Sequence, residues 1–312
     1  MQINSKANII LLAGGSGLIG RGLIKYLISL NYKIRVLSRR NISIEGVDCY
    51  LWNPETRFID LNALKDKPII INLAGSSIAD KPWTRKRKNE ILSSRINAIK
   101  TIELGLLKSG CTPELIICTS AIGIYGDRPE TILNEESQTV SSDFLSATVH
   151  SIEEATHPLV DLSERIVLIR IGLYLSTNGG IWPKLNAGKK LRLLFWFGNG
   201  NQIYSWIHED DFNHAIAFII NDNNIKGVVN LCAPEPSSNK AILINIKNKL
   251  KGFSFCFGIP RFILKLILQE MSNLLLFSQH VIPTKLLNNG FVYKYQNITE
   301  AVNNLINQKN NQ

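Results

Sequence analysis

Apolar residues follow two alternating rhythms along this chain. Short unbroken runs stand at 9–13 (I-I-L-L-A), 33–38 (K-I-R-V-L-S), 68–75 (P-I-I-I-N-L-A-G), 115–120 (L-I-I-C-T-S), 165–172 (R-I-V-L-I-R-I-G) and 226–231. Their length and β-branched content predict strands buried on both faces, as in a parallel sheet. Between them, apolar positions spaced as on a helix face predict helices at 18–30 (Leu23, Ile24, Leu27, Ile28), 81–100, 144–156 and 212–220. Residues 41–66 and the polar stretch to Asp143 read as irregular. Strand and helix in alternation predict an α/β protein with a Rossmann-type doubly wound parallel sheet.

The turn Ala233-Pro-Glu-Pro-Ser marks a boundary. It divides the chain into a dinucleotide-binding domain over 1–235 and a small, mainly helical C-terminal domain over 240–312. The stretch 176–205, rich in Gly, Trp and Phe, suits a lid or substrate wall. The apolar stripe at 262–276 reads as packing surface.

The first strand runs straight into Gly14, Gly15, Ser16, Gly17, Leu18, Ile19 and Gly20. Gly14 can take the positive φ of a tight turn, Gly17 lets backbone approach a pyrophosphate, and Gly20 lets the helix lie against the strand. Phosphates would then meet free N–H groups at a positive helix end. The second strand ends at Ser38-Arg39-Arg40 with no acid to hold a ribose 2′-hydroxyl. An arginine there suits a 2′-phosphate, which favours NADP(H) over NAD, although surface arginines would look the same. The third strand closes on Leu73, Ala74 and Gly75, small where backbone passes a ligand. The fourth delivers Thr119 and Ser120 to the carboxyl edge, where open α/β sheets bind ligands.

A net charge of +10 favours anionic partners, and a phosphorylated cofactor satisfies that as well as nucleic acid does. The basic run W-T-R-K-R-K at 83–88 reads as a solvated helix face, so no nucleic-acid partner is expected. Five scattered cysteines without a C-x-x-C pair read as reduced thiols. His208, Asp210 and His214 lack the further ligands that would make a metal site, and no metal is expected. No run of about 18 apolar residues occurs, so no membrane span is expected and the cytoplasm is the expected location.

In order, G-G-S-G-L-I-G at 14–20, N-L-A-G at 72–75, S-R-I-N-A-I-K-T at 94–101, T-S-A-I-G-I-Y-G at 119–126, R-I-G at 170–172 and S-W-I-H-E-D-D at 205–211 resemble the extended short-chain dehydrogenases/reductases, the NAD-dependent epimerase/dehydratase superfamily. More closely, I-A-D-K-P-W-T-R-K-R-K-N-E-I-L-S-S-R at 78–95 is similar to the branch called "epimerase family protein", which also carries a misleading cell-division-inhibitor label of the SulA type. Residues 259–271 and 278–291 resemble that branch's C-terminal domain of unknown function. The resemblance implies NADP(H) contacts from the glycine turn, Ser38, Arg39, Leu73, Ala74, Glu90, Arg95 and the backbone near Tyr174.

The chain departs from the superfamily at its proton-transfer pair, because no tyrosine here has lysine four residues on. An unassisted phenol titrates near ~10, a handicap of roughly 4 kcal/mol for a base at neutral pH. Ser120, with Thr119 beside it, remains a candidate hydrogen-bond donor to a substrate oxygen. Tyr125, His150, Glu153 and His208 are candidate substitutes for the base. Two readings follow: an NADP(H)-dependent oxidoreductase or epimerase-like enzyme acting on a sugar-nucleotide or small carbonyl or hydroxyl compound, or a non-catalytic NADP(H)-binding regulator, which the family label links to cell division. The substrate and any homodimer are left open by the sequence.

Overall fold

The computed structural model describes residues 8–250 and 254–308. Eight strands form the main sheet: β1 (Ile9–Ala13), β2 (Lys33–Ser38), β3 (Val47–Asn53), β4 (Phe58–Ile59), β5 (Ile69–Asn72), β6 (Ile116–Ala121), β7 (Ile166–Ile171) and β8 (Gly227–Leu231). Their spatial order is β8-β7-β6-β5-β1-β2-β3-β4. The chain steps outward from β1 through β2 and β3, returns to the other side of β1 at β5, and steps outward again. That is the doubly wound arrangement, with its switch point between β1 and β5. β1 pairs in parallel with β2 and β5, β2 with β3, and β5 with β6, while the short β4 runs antiparallel to β3.

Helices cover the sheet because their apolar stripes need burial. In α1 (Leu18–Ser29), Leu23, Ile24 and Leu27 are buried. In α2 (Arg85–Ser109), Ala98, Ile99, Ile102 and Leu106 join a core with Leu11, Ile70 and Ile116. α2 begins where Thr84 accepts the Arg87 N–H at 3.2 Å and ends at Gly110, φ 64°, so it starts later and runs further than the expected 81–100. Residues 41–66 are more regular than expected, since β3, β4 and a short 3-10 turn at Leu61–Leu64 lie there. Weak alternation hid β3, whose side chains are mostly half-buried.

Two compact units make up the chain, and each is assembled from separate stretches. The first takes residues up to Ala121, Ala147–Arg170 and Asn213–Val229; the second takes Ile122–Ser146, Ile171–Phe212 and everything from Asn230 on. In the second unit, α5 (Asn239–Asn248) and α7 (Ile298–Gln308) bury Ile242, Leu243, Ile246, Val302 and Leu305 with Trp206 and Leu175. The tail is less purely helical than expected: strand Phe255–Ile259 pairs in parallel with Leu193–Phe197, and Gln279–Val281 pairs with Arg128–Leu133. The 262–276 stripe is only partly packing surface. Leu264 and Leu276 are buried, whereas Phe262, Leu266 and Ile267 on α6 (Arg261–Leu268) are 70%, 78% and 71% exposed.

Among the described residues, no helix is long and apolar enough to cross a membrane.

Candidate functional site

Strand register decides which residues of the first unit share an edge. Ala13 lies opposite Leu37 on one side and Asn72 on the other, and Asn72 lies opposite Cys118. The next residues along, Gly14, Ser38, Leu73 and Thr119, therefore emerge at the carboxyl edge, beside the switch point. Gly14 has φ 84°, and a Cβ there would stand 2.7 Å from the Leu73 carbonyl carbon. A Cβ on Gly20 would overlap the Gly14 carbonyl oxygen. Both glycines are thus required by contact, as well as by conformation at Gly14. Gly17 is the N-cap of α1; no side chain caps it and no acid stands in the first turn. Ser38 Oγ accepts the Arg40 N–H at 3.2 Å, and Arg39 and Arg40 are exposed.

The loop after β5 is fastened from α2. Asn72 Oδ1 accepts the Ala74 N–H at 3.1 Å, and Ser94 Oγ accepts the Ser76 N–H at 3.0 Å. Arg95 donates to the carbonyls of Ser76 (2.9 Å) and Ile91 (3.0 Å), and its guanidinium lies where a Cβ on Gly75 would be. Burial, with Arg87 adding to it, pulls Arg95 down to about 10, so it stays charged at neutral pH. Arg87 donates to the Ser77 carbonyl and pairs with Glu90 at 2.7 Å. That hydrogen bond holds the Glu90 carboxyl below its usual range. Ser76 Oγ also donates to Glu90, at 3.2 Å.

Deeper on the same edge, Thr119 donates to the Asn72 carbonyl at 3.0 Å. Ser120 Oγ donates to Glu153 Oε1 at 2.5 Å. Arg170 grips the same carboxylate in a fork, Nε to Oε1 and Nη2 to Oε2, both 2.8 Å. Side-chain exposures of 5% for Arg170 and 13% for Glu153 make this a buried ion pair. Ser120 thus does not cap local backbone. Nor does its proton point to an open position: with the proton on Glu153, Oγ presents lone pairs. Arg170 was missed as a site residue, although a charged side chain inside I-V-L-I-R-I-G on a buried strand requires an acid to answer it.

The remaining candidates have structural surroundings. His150 is on the exposed side of α3 (Phe144–Ala155), 3.3 Å from Glu154. His214, on α4 (Glu209–Asn221), lies tilted against Tyr26, ring centroids 5.1 Å apart.

In the second unit, Tyr125 is fully buried, its hydroxyl 2.9 Å from the Asn134 carbonyl and from Asn230 Oδ1. Tyr174, edge-on to Phe212, is raised above the ordinary phenol range by burial, with Glu209 and Asp210 adding to the shift. His208 is fully buried and pushed down to about 4 by burial, against the pull of Asp210. Its Nδ1 accepts the Asp210 N–H at 3.0 Å, which places the proton of the neutral ring on Nε2. Burial is the largest influence on Asp210 and raises it, but Lys294 at 2.9 Å, His208 and Tyr295 together outweigh it and hold the carboxyl low. Asp211 accepts the N–H groups of Lys294 (2.7 Å) and Tyr295 (3.0 Å), yet burial pushes it up to about 6. Among the described residues, no three His, Cys, Asp or Glu side chains gather as a metal site would require.

Comparison with known proteins follows the same lines. The human epimerase family protein SDR39U1 (isoform 2), solved with NADPH, superposes with TM-score 0.84 at 23% identity, covering 96% of this chain and 99% of that one. The nucleoside-diphosphate sugar epimerase of Corynebacterium glutamicum superposes with TM-score 0.76 at 28% identity, covering 96% of this chain and 58% of that one. The epimerase family protein YfhF of Bacillus subtilis is 32% identical over 299 residues, 95% of this chain and 97% of the relative. Residues 259–305 match a domain of unknown function, DUF1731. Residues 10–232 match the NAD dependent epimerase/dehydratase family, and the chain belongs to that family.

Proposed function

We propose that this protein binds NADP(H) at the carboxyl edge of β1, β2, β5 and β6. The single observation that carries the reading is the register that brings Gly14, Ser38, Leu73 and Thr119 to one edge at the switch point. A dinucleotide fits the residues there. The turn at 14–17 carries no bulky side chain, and the uncapped first turn of α1 supplies donors to a pyrophosphate. Residues 14–20 hold the pyrophosphate, Arg39 and Arg40 with Ser38 receive the adenosine 2′-phosphate, and Leu73, Ala74 and Gly75 line the floor. Arg95 supports that floor through Ser76, with Glu90 beside it. NADPH bound at a family neighbour supports the choice of the phosphorylated cofactor.

When bound, the cofactor supplies or accepts a hydride. This chain's own part is to orient what lies beside it. Ser120, its proton committed to Glu153, accepts a hydrogen bond from a ligand hydroxyl, so the substrate is a hydroxyl-bearing small molecule of the sugar-nucleotide type. Non-catalytic NADP(H) binding is the second reading. It is favoured by that committed proton together with the missing Tyr/Lys pair. We keep 1–235 and 240–312 as the two domains, with 176–205 as substrate wall and the cytoplasm as location; family matches at 10–232 and 259–305 support the division.

Calorimetric titration of the purified protein with NADPH and NADH tests the reading. NADPH should bind at least ~10-fold more tightly, a difference of about 1.4 kcal/mol. Equal affinities, or no heat from either, would overturn it. Turnover of a panel of nucleotide sugars by the loaded protein separates enzyme from regulator.

A further inference from the structure

The second unit carries an apolar face turned outward, and its chemistry is distinct from that of the strand-edge site. On α6, successive side chains are about 100° apart. Leu264 points inward, 5% exposed; Phe262 and Leu266 lie on the opposite side at 70% and 78% exposure, and Ile263 and the 71% exposed Ile267 extend that apolar sector round toward Leu264. Arg261 and Lys265, both exposed, border this sector along its Phe262 edge. Immediately before α6, Phe255 and Phe257 project from one face of strand Phe255–Ile259, 60% and 46% exposed. Phe257 stands edge-on to Phe195 of the paired strand, ring centroids 4.6 Å apart.

Charge identifies the occupant. Residues 236–269 contain no Asp or Glu but hold Lys240, Lys247, Lys249, Lys251, Arg261 and Lys265. The stretch 178–208, which includes the partner strand, is likewise free of acids and adds Lys184 and Arg192. An outward apolar stripe bordered by cations is the arrangement of a helix lying in a membrane interface, with aliphatic and aromatic side chains among the acyl chains and cations at the headgroups. A second copy is a poorer fit, because it would bring Arg261 and Lys265 against their own images. The helix also offers only a few side chains, where a stable dimer needs about 800 Å² per partner. Nucleic acid offers no apolar phase for Leu266 and Ile267. The lack of a spanning helix does not bear on a surface contact. From this face we infer that the protein docks peripherally on an anionic lipid surface, through α6 and the adjoining Phe255 and Phe257.

Co-sedimentation of the full-length protein tests this, using vesicles of phosphatidylcholine alone and of an equal mixture with phosphatidylglycerol. The mixed vesicles should capture it at least ~10-fold better, and added salt should release it. Leu266→Ser with Ile267→Ser should abolish capture while leaving the circular dichroism melt unchanged, since both positions are exposed. Lys265→Glu, which leaves the apolar stripe intact, should weaken capture by the mixed vesicles several-fold. No capture, or equal capture by both vesicles, overturns the proposal. So does a dimer seen by light scattering that the double substitution dissolves, or binding of a duplex oligonucleotide that survives it. None of these readouts depends on the cofactor.

Discussion

Ser120 donates to Glu153, 33 residues further along the chain, at 2.5 Å, and Arg170 grips the same carboxylate. Glu153 thereby answers both a buried hydroxyl and a buried guanidinium. Removing each partner should have very different consequences. Glu153→Ala leaves the Arg170 charge buried and unpaired, which costs about 3–5 kcal/mol. Ser120→Ala removes one hydroxyl and leaves the ion pair whole, which costs about 1 kcal/mol. Urea denaturation of both variants measures the difference; equal losses would show that the pair is not what holds this edge.

Gly14 gives a second test. Alanine there must adopt φ 84° and place a methyl group 2.7 Å from the Leu73 carbonyl carbon. The left-handed conformation alone costs about 1–2 kcal/mol, and relief of the overlap pushes β1 and β5 apart. We expect Gly14→Ala to lose at least ~2 kcal/mol by denaturation and to lose measurable NADPH binding. Gly110→Ala, also at positive φ (64°) but facing open space, controls for conformation without contact. It should lose only the conformational cost and keep NADPH affinity.

The glycine turn was legible because everything that defines it is local: an apolar strand, a turn and a helix start within residues 9–20. Ser38 and the Leu73–Gly75 floor were legible for the same reason, each ending a short apolar run. The Ser120–Glu153–Arg170 cluster was not, because its members come from β6, α3 and β7 and only the fold brings them together. Glu153 could be singled out as a titratable group near the missing Tyr/Lys position, but nothing nearby in sequence names Arg170 as its partner. The α6 stripe misled in the opposite direction. Periodicity shows that Phe262 and Leu266 share a helix side, but whether that side faces the core depends on which neighbours arrive. Here Leu264 is the residue that meets the core.

Cofactor choice rests on Arg39 and Arg40, which follow β2 where an acid would select NAD. Replacing both with alanine should remove charge-assisted contacts to a 2′-phosphate, about 1.5–3 kcal/mol, while leaving NADH affinity nearly unchanged. The ratio of NADPH to NADH affinity is the readout, because a general loss of folding would lower both. An unchanged ratio would assign these arginines to the solvated surface.

The buried ionisable pair of the second unit predicts a pH dependence with two opposing slopes. His208 titrates at about 4 in the fold, against ~6.5 when unfolded, so its contribution is present above ~6.5 and is lost as pH falls toward 4. Asp211 titrates at about 6 in the fold, against ~3.9 when unfolded. Its contribution is present below ~4 and lost as pH rises through 6, by up to about 3 kcal/mol. Between pH ~4 and ~6 the two nearly offset each other. Asp211→Asn cannot ionise, and its one carbonyl oxygen accepts from only one of the Lys294 and Tyr295 N–H groups, which lowers stability at every pH without adding a titration. The stability of the native protein minus that of the variant should therefore fall by about 2–3 kcal/mol from pH 4 to pH 7, and the variant alone should show the acid-side loss set by His208. Asp210, Glu209 and Lys294 remain in both proteins, so the difference isolates Asp211. Denaturation curves at several pH values provide it, and parallel curves would mean that Asp211 is not held out of its ordinary range.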